Sequence, residues 1–234
     1  MKNNFHWYFF WLLFLSLAEV GYGQVTVTVT VNPEELEGMK IAKKSSIQDA
    51  RASLGSLQQG TLVIRLSTGS NKAKALEKLI GSPNVKESDR RRYQAMLEKS
   101  RVDIQNQNQW LAAAFRANYS YSKIMFMPDT SATHLKNGVR NGIFLNENLV
   151  LDPSLSLSGD FFVAFYGTSL SDMNTNNEGI NVVDQQLQPM PYPFPAFVGR
   201  TSIRRMFEEF FNKDTGEEHF EKLVAKFQQR LEEF

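Results

Sequence analysis

The chain has 234 residues, with 26 Lys and Arg against 25 Asp and Glu, and no cysteine. A formal net charge of +1 supplies no global field toward nucleic acid or an anionic membrane surface, so neither is expected as a partner. Without cysteine there are no disulfides, thiolate nucleophiles, Cys-ligated zinc, Fe–S clusters or lipidated N-terminal Cys.

Residues 1–23 read as a cleavable secretory signal. Lys2 and the α-amine form a small positive region, Phe5 to Leu17 an apolar block, and Gly21-Tyr22-Gly23 place small residues ahead of Gln24. As a helix the block spans about 20 Å, short of a hydrocarbon core of roughly 30 Å, which weighs against an uncleaved anchor. Every later apolar run is interrupted by Lys, Arg, Glu or Asn, so no membrane span is expected after the signal. Cleavage after Gly23 would leave residues 24–234 as a single domain, large enough to bury a core without covalent staples. A disulfide-free exported domain of this size fits a bacterial periplasm or secretion better than a eukaryotic route. In that setting Asn118-Tyr119-Ser120 reads as a chance glycosylation triplet.

Val25 to Val31 alternates strictly between Val and Thr, which predicts a half-buried strand stopped by Asn32-Pro33. Internal pairing is the default for it, and addition to a partner's sheet edge the sharper alternative. Residues 24–45 are taken as this peripheral strand and a linker. Ile47, Ala50, Leu54 and Leu57 predict a helix from Ser46 to Leu57, and Thr61 to Leu66 a central strand. The next helix runs from Lys72 to Ile80 and ends at Gly81 and Pro83.

The intervening loop, Ser67-Thr68-Gly69-Ser70-Asn71-Lys72, joins a strand to a helix as anion-binding loops do. It lacks the Gly-Lys-Ser/Thr ending of a Walker loop, and no GxGxxG occurs in the chain, so it reads as a connector and no cofactor is expected. Arg90-Arg91-Arg92 lies among Glu87, Asp89 and Glu98 and reads as a solvated helix face. Residues 88–117 contain neither Gly nor Pro and predict a long helix, with a break possible at Gln105 to Gln109. That Gln/Asn segment is either a solvated face or a binding face.

Ser122 to Met127 predicts a buried strand. Gly142 to Asp184 predicts an antiparallel meander built from Ile143–Leu145, Phe161–Tyr166 and Ile180–Val183. Alternating prolines from Pro189 to Pro195 predict an extended path that lays Tyr192, Phe194 and Phe197 on the core. Two C-terminal helices follow. Ile203, Met206, Phe207, Phe210 and Phe211 stripe the first, Thr215 to Glu218 cap the second, and Phe220, Leu223, Val224, Phe227, Leu231 and Phe234 line its buried face.

Catalytic signals are sparse. His134 and His219 are the histidines past the signal, and neither belongs to an HExxH or HxH pair. Gly167-Thr168-Ser169-Leu170-Ser171 approaches a nucleophile elbow but ends in Ser where Gly is needed. Asp172, Asn174, Asn176 and Glu178 alternate as the first ligands of a calcium loop do. Yet Asn177 and Val183 stand where an EF-hand needs Gly and Glu, so a hairpin turn without metal is the default.

Leu62 to Leu66, Gly142 to Leu149, Asp160 to Ala164 and Pro193-Phe194-Pro195 together resemble a family of uncharacterised secreted proteins from Bacteroidetes-type bacteria. The resemblance implies no activity and carries over no catalytic residue. The expectation is an α/β or α+β domain with a mixed sheet of about five or six strands, covered by helices and a C-terminal helical pair. Its expected role is a non-catalytic binding module of the envelope, with an envelope protein or surface ligand as partner. The alternatives are an exported hydrolase built on Asp129, His134 and Asp172, or a redox-inactive thioredoxin-like scaffold.

Overall fold

In the computed structural model, which describes residues 33–170, 177–199 and 216–234 and side chains from Ser46 onward, the run Thr61–Leu66 forms strand β1. All of its residues except Arg65 are buried, as in a strand covered on both faces. β1 pairs in parallel with β2 (Lys123–Pro128) on one side and β3 (Phe161–Thr168) on the other. β3 pairs antiparallel with β4 (Glu178–Val183), and β4 antiparallel with the short β5 (Phe197–Gly199). The resulting mixed five-stranded sheet has the order β2-β1-β3-β4-β5.

Five α-helices accompany the sheet among the described residues: α1 (Pro33–Gln59), α2 (Ser70–Ile80), α3 (Glu87–Asn118), α4 (Ala132–Lys136) and α5 (Gly216–Glu232). A 3₁₀ turn, Asp129–Ser131, leads from β2 into α4. This is an α+β fold, within the α/β or α+β class with a mixed sheet of about five or six strands expected from the sequence. The chain divides at Lys40/Ile41, and the packing below belongs to the unit from Ile41 to Phe234.

Strand alternation sorts the core into two layers. Leu62, Ile64 and Leu66 of β1 point to one face, where Phe162, Ala164, Ile180 and Val182 meet Leu57 of α1, Phe115 of α3 and Phe227 of α5. Val63 points to the other, with Met127, Phe161, Val163 and Val183 beneath Leu135 of α4, Phe144 and Leu157. Aromatic contacts lock α3 to α5. Phe115 meets Phe227 edge-on at 6.3 Å between centroids, and Tyr119 stacks on Phe227 at 5.8 Å. Burial of each such ring contributes about 1.5–3 kcal/mol. Gln228 adds a polar tie, its Oε1 accepting the backbone N–H groups of Ser120 (3.1 Å) and Tyr121 (3.2 Å).

Several expectations change. Helix α1 begins at Pro33 rather than at Ser46. Proline is tolerated at a first helical position, and Glu34 and Glu35 suit the positive end of the helix dipole. α3 runs unbroken through 105–109. Leu111 is buried in the core after that segment and Ile104 is half-buried before it, so packing on both sides holds the polar turn helical.

The meander exists only from β3 onward. Ile143–Leu145 forms isolated bridges, Phe126 to Leu145 and Leu145 to Leu151, because the chain folds back at once through a turn on Asn146. Asn146 Oδ1 accepts the N–H groups of Asn148 (3.0 Å) and Val150 (3.1 Å). In the proline segment Phe194 is buried against Phe162, but Tyr192 is 85% exposed and does not lie on the core.

The signal at 1–23, the Val/Thr strand at 25–31, the residues Asp172, Asn174 and Asn176, and the first helix of the C-terminal pair lie outside the described residues. Among the described residues no helix is long and apolar enough to cross a membrane.

Candidate functional site

The sheet order places a crevice. From β1 the chain crosses to β2 through α3 on one face, and from β2 it returns past β1 to β3 beneath α4 on the other. Where successive connections part to opposite faces, the carboxyl ends of adjacent parallel strands are left uncovered between them. Here those ends are Leu66 and Pro128, and both line a cavity of about 620 Å³.

Three segments build its walls. The first is the Ser67-Thr68-Gly69 connector. Gly69 is left-handed at φ 63°, a conformation that strains residues with a side chain, and its Cα faces Ile104 Cδ1, so glycine suits the loop where it lies on α3. Asn108 Nδ2 donates to the Ser67 carbonyl at 2.8 Å, and the Gly69 N–H donates to Ser67 Oγ at 3.3 Å. The first bond ties the connector to the helix, and the second closes the turn within the connector.

The second wall is α3 itself, which presents Arg101, Ile104, Gln105, Asn108, Gln109 and Arg116. Their spacings of three, four and seven residues put them on one side of a continuous helix. The third is the Asn146 turn, from which Leu145, Glu147, Asn148 and Leu149 line the cavity. Leu145 N donates to Phe126 O at 2.9 Å, which fixes the turn to the outer edge of β2.

The two cations of the crevice differ. Arg101 bridges Glu98 (2.8 Å) and Glu77 (3.3 Å), so its charge is met within the protein. Arg116 lies over the Phe126 ring, 4.9 Å from its centroid, and donates through Nη2 to the Glu147 carbonyl at 2.8 Å. Among the described residues it has no carboxylate partner. Arg116, Leu145 and Glu147 also border a second cavity of about 710 Å³ along the edge of β2, so the Arg116 to Glu147 contact separates the two spaces. A third cavity of about 600 Å³, between Arg51, Tyr121 and Phe234, lies beside the Tyr121 end of β2.

Of the residues proposed from sequence for hydrolysis, neither Asp129 nor His134 lines the crevice. Asp129 Oδ1 accepts from Thr68 Oγ1 at 2.5 Å, which joins the ends of β1 and β2. Its charge also faces Arg65, whose guanidinium sits 4.0 Å from the Phe165 centroid. Burial pushes Arg65 below its ordinary pKa, and Asp129 opposes that shift. Asp129 therefore serves as a strut. His134 is exposed on α4 and lines none of the three cavities. Their third member, Asp172, is outside the described residues.

Ser169 is buried at the end of β3, in a hairpin with β4 rather than on a strand-to-helix elbow. Asn181 clamps that hairpin, its Nδ2 donating to the carbonyls of Gly167 and Thr168 at 3.2 Å and its Oδ1 accepting from Leu170 N at 3.0 Å. Of the four calcium candidates only Glu178 is described, and its carboxylate accepts the Tyr166 hydroxyl at 3.1 Å. No group of three or more His, Cys, Asp or Glu side chains suited to a metal occurs among the described residues. Arg90 of the basic cluster pairs with Glu87 and donates to the carbonyls of Ile80 and Ser82, which closes the end of α2.

No family model, curated protein or solved structure matches this chain.

Arg116 and the Asn146 turn were missed as site residues by sequence reasoning. The available signal was the polar stripe from Arg101 through Gln105, Asn108 and Gln109 to Arg116, which keeps helical period across a segment read mainly for its break.

Proposed function

We propose that the protein is an exported binding module of a bacterial envelope, and that it holds its ligand in the crevice between the carboxyl ends of β1 and β2. The observation that carries this reading is the side-chain set there. It combines Arg116, a guanidinium without a carboxylate partner among the described residues, with the carboxamides of Gln105, Asn108, Gln109 and Asn148 over an aliphatic floor of Leu66 and Leu145, Glu147 being the carboxylate in the lining. Guanidinium and carboxamide groups bind by directed hydrogen bonds and do not exchange protons near neutral pH, so the set suits holding a ligand better than transforming it. Export rests on the leader ahead of Gln24 and on the resemblance to secreted bacterial proteins.

Two measurements test the reading. Mass spectrometry of the chain from its native host should find it outside the cytosol and beginning at Gln24. In a ¹⁵N-labelled sample, a ligand should move the side-chain amide resonances of Gln105, Asn108 and Gln109. The hydrolase alternative requires instead a turnover that His134→Ala abolishes.

A further inference from the structure

The shape and chemistry of the crevice point to one class of ligand, and this inference rests on the crevice being the binding site. We propose that it takes an extended peptide segment carrying a single carboxylate, laid along α3 with that carboxylate on Arg116.

Length comes first. At about 1.5 Å per residue, the helix from Arg101 to Arg116 runs about 22 Å, the reach of about six residues of extended chain. A ligand filling such a trough is long and narrow. Between the two arginines stand Gln105, Asn108 and Gln109. Each carboxamide offers a donor and an acceptor side by side, the complement of one peptide unit's C=O and N–H. The side chains of Gln105 and Gln109 make no hydrogen bond among the described residues, and that of Asn108 uses only its Nδ2, leaving its Oδ1 to accept.

The apolar lining separates peptide from the other polymers. It consists of Leu66, Ile104, Pro128, Leu145 and Leu149, and among the described residues no aromatic side chain lines the crevice. Sugar rings and nucleobases are gripped by stacking on aromatic faces, and a trough without one has no such platform. Aliphatic side chains of a peptide need only the branched carbon surface present here.

Charge then sets the anion. Arg101 is already neutralised by Glu77 and Glu98, whereas Arg116 is not ion-paired among the described residues and keeps donors beyond the one given to Glu147. Glu147 meets Arg116 through its backbone carbonyl, and its exposed carboxylate is the negative group at the crevice lining, which weighs against a multiply charged anion. One carboxylate is therefore matched, in a charge-assisted bond roughly twice as strong as a neutral one.

The test is fluorescence anisotropy on the purified exported chain. The probes are two fluorescein-labelled hexapeptide pools, capped at both ends, of random aliphatic and amide residues around one fixed Asp or one fixed Asn. The Asp pool should bind at least tenfold more tightly, and Arg116→Gln should erase that preference while Arg116→Lys keeps part of it. Gln109→Ala, at an exposed side chain without a partner among the described residues, should weaken both pools severalfold with the circular dichroism spectrum unchanged. Equal binding of the pools, or no binding, overturns the peptide assignment. An oligogalacturonate that moves the Gln105, Asn108 and Gln109 amide resonances where the peptides do not would overturn it too, yet keep the crevice as a site. If neither probe moves them, the crevice reading falls as well.

Discussion

The Arg116 guanidinium rests on the ring of Phe126, 4.9 Å from its centroid, so the last turns of α3 are braced against the outermost strand of the sheet. The same group holds the Glu147 carbonyl at 2.8 Å, and one side chain thereby sets the width of the crevice. Arg116→Ala is expected to cost about 1–2 kcal/mol in urea unfolding, from the lost cation–π contact and hydrogen bond together. Amide exchange in the 146–150 turn should rise more than exchange in β1. Equal change in both would mean that Arg116 supports the core and not the turn.

Two glycines should respond to alanine with opposite sign. At Gly60 a methyl group would run into the Asp160 carbonyl and lie 2.8 Å from the Ser56 carbonyl, both fixed backbone atoms. Gly60→Ala should therefore cost about 2 kcal/mol or more. Gly55 sits within α1 with nothing within 4 Å of its missing Cβ, so Gly55→Ala should stabilise by about 0.5–1 kcal/mol. Urea midpoints moving in the same direction would refute the assignment.

Asn181 is only 1% exposed, and from β4 its side chain satisfies the backbone groups of Gly167, Thr168 and Leu170 across the hairpin. Removing it in Asn181→Leu leaves those groups unpaired away from water, at an expected cost of about 2–3 kcal/mol. Asn181→Asp should be worse at pH 7 than at pH 4, because an ionised carboxylate would face the Gly167 and Thr168 carbonyls where an N–H donor now stands. A pH-independent loss would argue against that geometry.

Asp152 and Tyr119 set opposite pH windows. The Ser154 hydroxyl (2.6 Å) and N–H (2.9 Å) both donate to Asp152 Oδ1 and hold that carboxyl below its usual range. A depressed carboxylate adds stability that is present above the unfolded pKa of about 3.9 and is lost as pH falls through the folded value. NMR titration should show a low Asp152 midpoint that Ser154→Ala raises.

Burial pushes the Tyr119 phenol up, partly offset by its 2.8 Å bond to Ser122 Oγ. The sign is then reversed. Its contribution is present below the unfolded pKa of about 10 and lost as pH climbs toward the folded value. Tyr119→Phe should cost about 1 kcal/mol at pH 7 and shift the alkaline unfolding midpoint upward, read by absorbance at 295 nm and far-ultraviolet circular dichroism.

Local pattern carried far in this chain. Thr61–Leu66 was legible because a short β-branched run between Gly60 and Ser67 suits a strand buried on both faces. The buried stripe of α5 followed from helical period alone, and Phe220, Leu223, Val224, Phe227 and Leu231 are all buried. Ile143–Leu145 misled because an apolar triplet is equally compatible with a strand and with a segment tucked under a turn. Asn146, which decides between them, acts through side-chain bonds that no periodicity records.

Composition and periodicity by themselves determined the thiol-free chemistry, and for β1, α3 and α5 the element type and its apolar face, since these depend on residues near in sequence. The pairing of β1 with both β2 and β3, and with it the crevice at Leu66 and Pro128, was decided only by the tertiary structure. Parallel pairing joins residues as distant as Leu66 and Pro128 through backbone groups that every residue shares. The partner is therefore chosen by how whole layers bury their faces, and Arg116, Gln109 and Glu147 become neighbours only after that choice is made.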